Sequence, residues 1–330
     1  MMKLAINVFL LMALLGCTSS ALAIDCARSA SIVENTICDS PQLSWLDSVL
    51  NDTYRNVMKH SEPASVNQDI QQWQASRDAC ASTSCLSRAY LQGIGQLYNV
   101  PTSFNWEGEW WNRSALHGDG GKIFLSHTTK WGFNFDAQVW RGIYKSNLRG
   151  DVKMFYGTGL ADNIAWGAGC TVLFIPRADG LIDVHSDSNG SCKLLMRGGM
   201  NIDGTYVRGQ RDPRPAATLL SLGVFPTKAL DDRFRQLAGK DYQQFVDVAN
   251  NLVYSADLDS MGATVVTLSV KGAASRSAAI IMFTPEGRIW AMRLLPELGK
   301  GGAPEIKLIG SEKNEALPKT LAAWRSLFDY

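Results

Sequence analysis

After its first two dozen residues, this chain of 330 has no apolar run long enough to cross a membrane as a helix. It has almost no charge imbalance either. Lys and Arg number 32 against 31 Asp and Glu, a net charge of +1, so there is no basic footprint for nucleic acid and no nucleic-acid partner is expected. Catalytic signatures are missing. There is no G-x-S-x-G, no H-E-x-x-H and no P-loop, and Gly157-Thr158-Gly159 lacks the third glycine of a dinucleotide fingerprint. The four histidines, His60, His117, His127 and His185, fall on different predicted elements, so they form no local acid–base or metal cluster. Internal repeats and low-complexity tracts are absent too. The sequence is therefore read as a binding protein, not an enzyme, with no cofactor.

What is present begins with a leader. Lys3 precedes the apolar run Ile6 to Leu15, which is too short for a bilayer and fits a signal-peptide core. Two processing routes compete. Ala21-Leu22-Ala23 is an A-x-A pattern, making residues 1–23 a signal peptide and Ile24 the mature start. Leu14-Leu15-Gly16-Cys17 resembles a bacterial lipobox, which would place a lipid on Cys17. The expected location is the periplasm or outside the cell, with a lipid anchor through Cys17 as the alternative.

Six cysteines remain beyond the leader: Cys26, Cys38, Cys80, Cys85, Cys170 and Cys192. An even number in an exported chain suggests bridges, and six allow 15 pairings. The sequence-near set, Cys26–Cys38, Cys80–Cys85 and Cys170–Cys192, is the simplest. A zinc site fits poorly, because no C-x-x-C pair occurs and no histidine stands at ligand spacing from a cysteine pair. Asp187-Ser188-Asn189-Gly190 and Asp257-Leu258-Asp259-Ser260-Met261-Gly262 resemble calcium loops in part. Neither has the full twelve-residue ligand pattern, and turn chemistry explains both.

The pattern along the chain gives an α+β multidomain protein. Residues 24–100 read as a helical, disulfide-stapled domain. Ser40-Pro41 is a helix start, and Leu43, Leu46, Leu50, Tyr54 and Val57 share one helical face. Residues 104–210 change texture to short alternating runs separated by Gly, Asn and Asp. Eight strands are expected there: 106–114, 122–128, 132–139, 151–157, 170–175, 181–185, 192–197 and 204–208. Eight strands on a meander are enough to close an antiparallel β-barrel. Asp212-Pro213-Arg214-Pro215 reads as a linker. Residues 217–330 read as a C-terminal α+β domain with an antiparallel sheet: a helix over 230–254, strands over 263–270, 278–283 and 288–294, and a last helix over 317–328.

Three passages resemble known families. The first runs from Ile24-Asp25-Cys26-Ala27 through Val33-Glu34-Asn35-Thr36-Ile37-Cys38-Asp39-Ser40-Pro41 and Leu46-Asp47 to Arg77-Asp78-Ala79-Cys80 and Cys85-Leu86-Ser87-Arg88-Ala89-Tyr90. It resembles the LprI-type N-terminal domain over about a quarter of the chain. That resemblance implies a helical, exported, disulfide-bonded module associated with lysozyme inhibition. In the second, Gly108-Glu109-Trp110 with Arg208 is similar to the calycin pattern, in which a Gly-x-Trp strand packs under a closing Arg. A hollow barrel of that kind would hold a small apolar ligand. In the third, Arg233-Phe234-Arg235-Gln236-Leu237-Ala238-Gly239, Ala278–Phe283 and Trp324 are similar to the Ivy-type lysozyme inhibitors, where a loop between two strands plugs the lysozyme cleft. Here the connection is Val270-Lys271-Gly272-Ala273-Ala274-Ser275-Arg276-Ser277, without the family's histidine, acid or cysteines.

These resemblances imply a cell-envelope binding protein that inhibits lysozyme, or another peptidoglycan-active protein, by occlusion. The contact residues expected are Lys271, Ser275 and Arg276, together with the ends of the N-terminal helices. The alternative is an envelope ligand-binding or scaffold protein that uses the barrel.

Overall fold

The computed structural model describes residues 23–59, 63–116, 118–141, 144–164, 169–187, 189–298, 304–310 and 316–328. Cys17, His60, His117, Ser188 and most of the leader lie outside them. The chain divides into two compact units, one ending at Tyr98 and the other beginning at Asn99. The first is helical; the second carries an eight-stranded barrel and a five-stranded sheet. The protein is thus a mixed α+β multidomain chain.

The first unit contains α1 (Ile32–Asp39), α2 (Pro41–Met58), α3 (Pro63–Asp78) and α4 (Thr83–Leu97). Three of these helices start on a serine cap. The hydroxyls of Ser31, Ser40 and Ser82 each accept the backbone N–H three residues on. Glu34 completes a capping box at Ser31, and Pro41 opens α2 at a position where a missing N–H costs nothing. The bridges Cys26–Cys38 and Cys80–Cys85 close over Cα separations of 5.6 and 5.5 Å. Leu43, Leu46, Leu50, Leu86, Tyr90 and Ile94 are all fully buried. Gly93 lets α4 come close: a Cβ there would lie 2.5 Å from the Trp73 indole nitrogen and 2.8 Å from a Leu50 methyl.

The barrel is an up-and-down meander of β1 (Gly108–Asn112), β2 (Asp119–Ser126), β3 (Gly132–Arg141), β4 (Tyr144–Phe155), β5 (Thr158–Ala161), β6 (Val172–Pro176), β7 (Ile182–Ser186) and β8 (Gly204–Arg208). It closes through β8 on β1, with Arg208 opposite Trp110. Along β3, Phe133, Phe135, Ala137 and Val139 point inward while Asn134, Asp136 and Gln138 point out, the period-two pattern of a half-buried strand. Trp110, Phe133, Phe135, Phe174 and Tyr206 belong to one continuous buried cluster that fills the interior.

One expected strand is absent. Residues 192–197 fold instead as the 3₁₀ turns Ser191–Leu194 and Arg197–Gly199. Asp187 holds the first turn by accepting from the Ser191 and Cys192 amides, Gly198 and Gly199 adopt positive φ, and the Cys170–Cys192 bridge ties it down. The strand that makes up the number instead is the short, fully buried β5, Thr158–Ala161.

The second half of this unit contains α5 (Lys228–Ala238), α6 (Tyr242–Val248), the strands β9 (Asn251–Ser255), β10 (Thr264–Ser269), β11 (Ala278–Phe283), β12 (Ile289–Leu298) and β13 (Pro304–Gly310), and α7 (Lys319–Ser326). The sheet is antiparallel in the order β13-β12-β11-β10-β9. Phe234 and Phe245 pack on one face, and Leu321 and Trp324 on the other. Covering on both faces accounts for the unbroken apolar run of β11. The single helix expected over 230–254 breaks at Gly239, which has φ +54°, into α5 and α6, and its last residues become the exposed edge strand β9. The calcium-like segment serves as a brace. Asp257 accepts the amides of Asp259, Met261 and Ala263, while Asp259 accepts those of Lys319 and Thr320 at the start of α7.

Candidate functional site

The calycin-like residues meet at the lower end of the barrel. The Arg208 guanidinium lies 4.8 Å from the Trp110 ring centroid and donates to the Asn105 carbonyl. Gly108 has φ +121°, a conformation that side chains rarely adopt, so the glycine ahead of the tryptophan is a backbone requirement. Trp106 stacks on Phe133 at 4.8 Å and closes this end. The contacts are structural, and the interior they seal is occupied by side chains.

The opposite end is open and polar. A cleft of about 250 Å³ at the mouth is lined by residues including Asn112, Asp119, Trp140, Arg141, Asn201 and Asp203. A second cleft, of about 700 Å³, lies between the barrel and α6. Its lining includes Arg113, Asp119, Trp140, Arg214, Gln243 and Asp247. Trp140 and Asp119 border both. The Trp140 ring lies on Gly120, its strand partner, where a Cβ would come within 2.2 Å of the indole. It meets Trp111 edge-on at 6.2 Å.

Asp119 organises this end. Arg141 grips its carboxylate with two nitrogens at 2.9 and 3.1 Å, and the Asn250 amide donates to it at 2.9 Å. Arg214, from the expected linker, is bidentate to Asp212 and donates to the backbone carbonyls of Ala115 and Asp119. The linker is thereby strapped to the barrel.

The sequence-predicted contact residues stand beside this network. Lys271, Ser275 and Arg276 sit on the connection between β10 and β11, and all three are exposed. The connection is held by its own backbone. Val270 and Ala273 bond across it to Ser277, and Arg276 donates back to Ala273. Its base is pinned to the barrel, where the Ser277 hydroxyl lies 3.2 Å from that of Tyr144. The Lys271 amide donates to Asn250, which also holds Asp119. Lys271 and Arg276 are both exposed, so both cations face solvent. Sequence reasoning missed Asp119, Trp140, Arg141, Arg214 and Asn250. Apart from the neighbours Trp140 and Arg141 they are far apart in the sequence, and only the paired glycines 120–121 hinted at a close approach on that strand.

No group of three or more His, Cys, Asp or Glu side chains among the described residues is arranged to hold a metal ion. Over 79 residues, 23% of the chain, the protein is 32% identical to Lipoprotein LprI of Mycobacterium tuberculosis and to Lipoprotein LprI of Mycobacterium bovis. The match spans 40% of the length of those relatives. No family model matches the chain, and no solved structure matches it.

Proposed function

We propose that this is an exported envelope protein that inhibits a lysozyme or related muramidase by occupying its cleft, without catalysing a reaction. The observation that carries this reading is the 79-residue likeness to Lipoprotein LprI, a family that the cysteine-framed motif of the helical unit also resembles. The bridges support it in physical terms. A surface fixed before binding loses little conformational freedom on docking, and this favours affinity. Lys271 and Arg276 supply two exposed cations on a loop whose backbone is already bonded. A carboxylate-lined lysozyme cleft would attract them, raising the association rate more than the final affinity.

Export rests on the leader and the six bridged cysteines. The leader is cleaved after Ala23 in this reading, with lipidation of Cys17 as the alternative. The test is lysis of cell-wall substrate by lysozyme with and without the oxidised chain. Stoichiometric inhibition is expected. A Lys271→Ala/Arg276→Ala variant should slow association by about tenfold at low salt.

A second reading is ligand binding beside the barrel, favoured by the clefts that share Trp140. An indole among Asp, Arg, Asn and Gln side chains suits a hydroxyl-rich ligand with one apolar face. Absence of inhibition, together with quenching of tryptophan fluorescence by glycan fragments, would favour it.

A further inference from the structure

The first described residues of the helical unit end on a buried carboxylate. The backbone nitrogen of Ile24 donates to Asp47 Oδ2 at 3.2 Å, across 23 residues of sequence. Asp47 sits on α2 and is 6% exposed. Its other partners are Tyr90, whose hydroxyl donates to Oδ1 at 2.9 Å, and Asn51, whose amide donates to Oδ2 at 3.2 Å. Both are buried, and the charge of Arg77 on α3, also buried, acts on Asp47 as well. Ile24 itself is half-buried. The bond immediately before it, Ala23–Ile24, closes the A-x-A pattern.

We infer that cleavage after Ala23 turns the Ile24 amide into an α-ammonium that forms an ion pair with Asp47, so that removal of the leader completes the buried polar centre of the helical unit. This rests on reading residues 1–23 as a cleaved leader. It does not depend on lysozyme inhibition.

The geometry already holds the nitrogen at hydrogen-bond distance, so the pair needs no rearrangement, only a change from one N–H to three. Burial pushes the Asp47 carboxyl above its ordinary value, against the hydrogen bond from Tyr90. Arg77, whose guanidinium is bonded to Asp78, acts on this carboxylate without a hydrogen bond to it, and an ammonium at Ile24 supplies a directly bonded positive partner. Burial, followed by the charge of Asp47, pushes the Tyr90 phenol up as well, so it stays a donor over the working range. The lipobox route leaves Ile24 as an ordinary amide seven residues into the chain and makes no such pair.

The pair would be protected from chemistry that needs a free amine. A full-length oxidised chain beginning at Ile24 is labelled with trace acetic anhydride at pH 7, native and unfolded, and each amine is read by peptide mass. The Ile24 α-amine should react about tenfold or more slowly in the native chain, because pairing raises its pKa above the ordinary value of about 8. A chain keeping Ala23 as its first residue should show no protection at its α-amine. Asp47→Asn should restore Ile24 reactivity. Should that variant fail to fold, the comparison with the Ala23 chain still decides. An Ile24 amine that reacts equally in both states overturns the ion pair. In parallel, the gene product is expressed with its leader, and its N-terminal peptide should begin at Ile24. A diacylglyceryl Cys17 would overturn the processing step.

Discussion

Gly93→Ala sets two known effects against each other in the helical unit. Alanine is the better helix former by about 1 kcal/mol, and on an exposed face it would stabilise α4. Gly93, however, is fully packed. The added methyl would sit 2.5 Å from Trp73 Nε1, 2.6 Å from Trp73 Cδ1 and 2.8 Å from Leu50 Cδ1. The Leu50 atom is a terminal methyl, but Leu50 is fully buried, and the two Trp73 atoms belong to a rigid, buried ring. Trp73 is 4% exposed, and its indole N–H donates to the Ala89 carbonyl at 2.7 Å. Moving the ring would cost about 1–3 kcal/mol in overpacking. A further ~1–3 kcal/mol follows if the buried indole loses its acceptor. Against the ~1 kcal/mol gain in propensity, the net is a loss of about 1–5 kcal/mol. For a unit of this size, a loss of about 2 kcal/mol lowers Tm by about 10 °C. The assay is thermal melting of the oxidised chain, followed at 222 nm and by tryptophan emission, with Leu50→Ala/Gly93→Ala as a relief variant. An unchanged or raised Tm for Gly93→Ala would refute the packing argument.

Two further outcomes follow from charged and covalent ties. Asp241 is 5% exposed and receives Arg293 at 3.0 Å and the Lys307 ammonium; these hold its carboxyl below the ordinary value, the Lys307 bond most strongly. A depressed carboxyl stabilises the fold above its unfolded pKa of about 3.9, and that stability is lost as pH falls through the lower folded value. Asp241→Asn, which strands the buried Arg293, should cost about 3–5 kcal/mol at pH 7 and flatten the acid limb of the stability curve; an unaltered acid limb would contradict this. Cys80→Ser opens a loop spanning only five residues of sequence separation, so the chain-entropy loss is about 2 kcal/mol, read as a lower urea midpoint for the helical transition. No shift would mean that the corner is held by packing alone.

Much of the fold was legible from local signals. Ser40-Pro41 marks a helix start because a hydroxyl cap and a residue without N–H suit the same turn. The cysteines pair with their sequence neighbours. Where reading failed, a tertiary cause is visible. Residues 192–197 are a short, mostly apolar run that reads as a strand, but Asp187, two glycines with positive φ and the bridge to Cys170 bend them into 3₁₀ turns. Thr158–Ala161 was missed because four residues buried on every side show no alternation. The edge strand Asn251–Ser255 is almost wholly exposed, so it lacked an apolar stripe to separate it from the helix before it. Sequence reading proposed Lys271, Ser275 and Arg276, which lie exposed on the connection between β10 and β11. Asp119, Arg141 and Asn250 come together across up to 131 residues, a separation that no local pattern encodes.

The most direct test of the central claim is cell-wall lysis by chicken-type, goose-type and invertebrate-type lysozymes, titrated with the purified, oxidised mature chain. The account predicts that at least one class is inhibited with a one-to-one endpoint, and that this inhibition is lost when the bridges are reduced. Full lytic activity of all three classes at a large molar excess of the chain would contradict it.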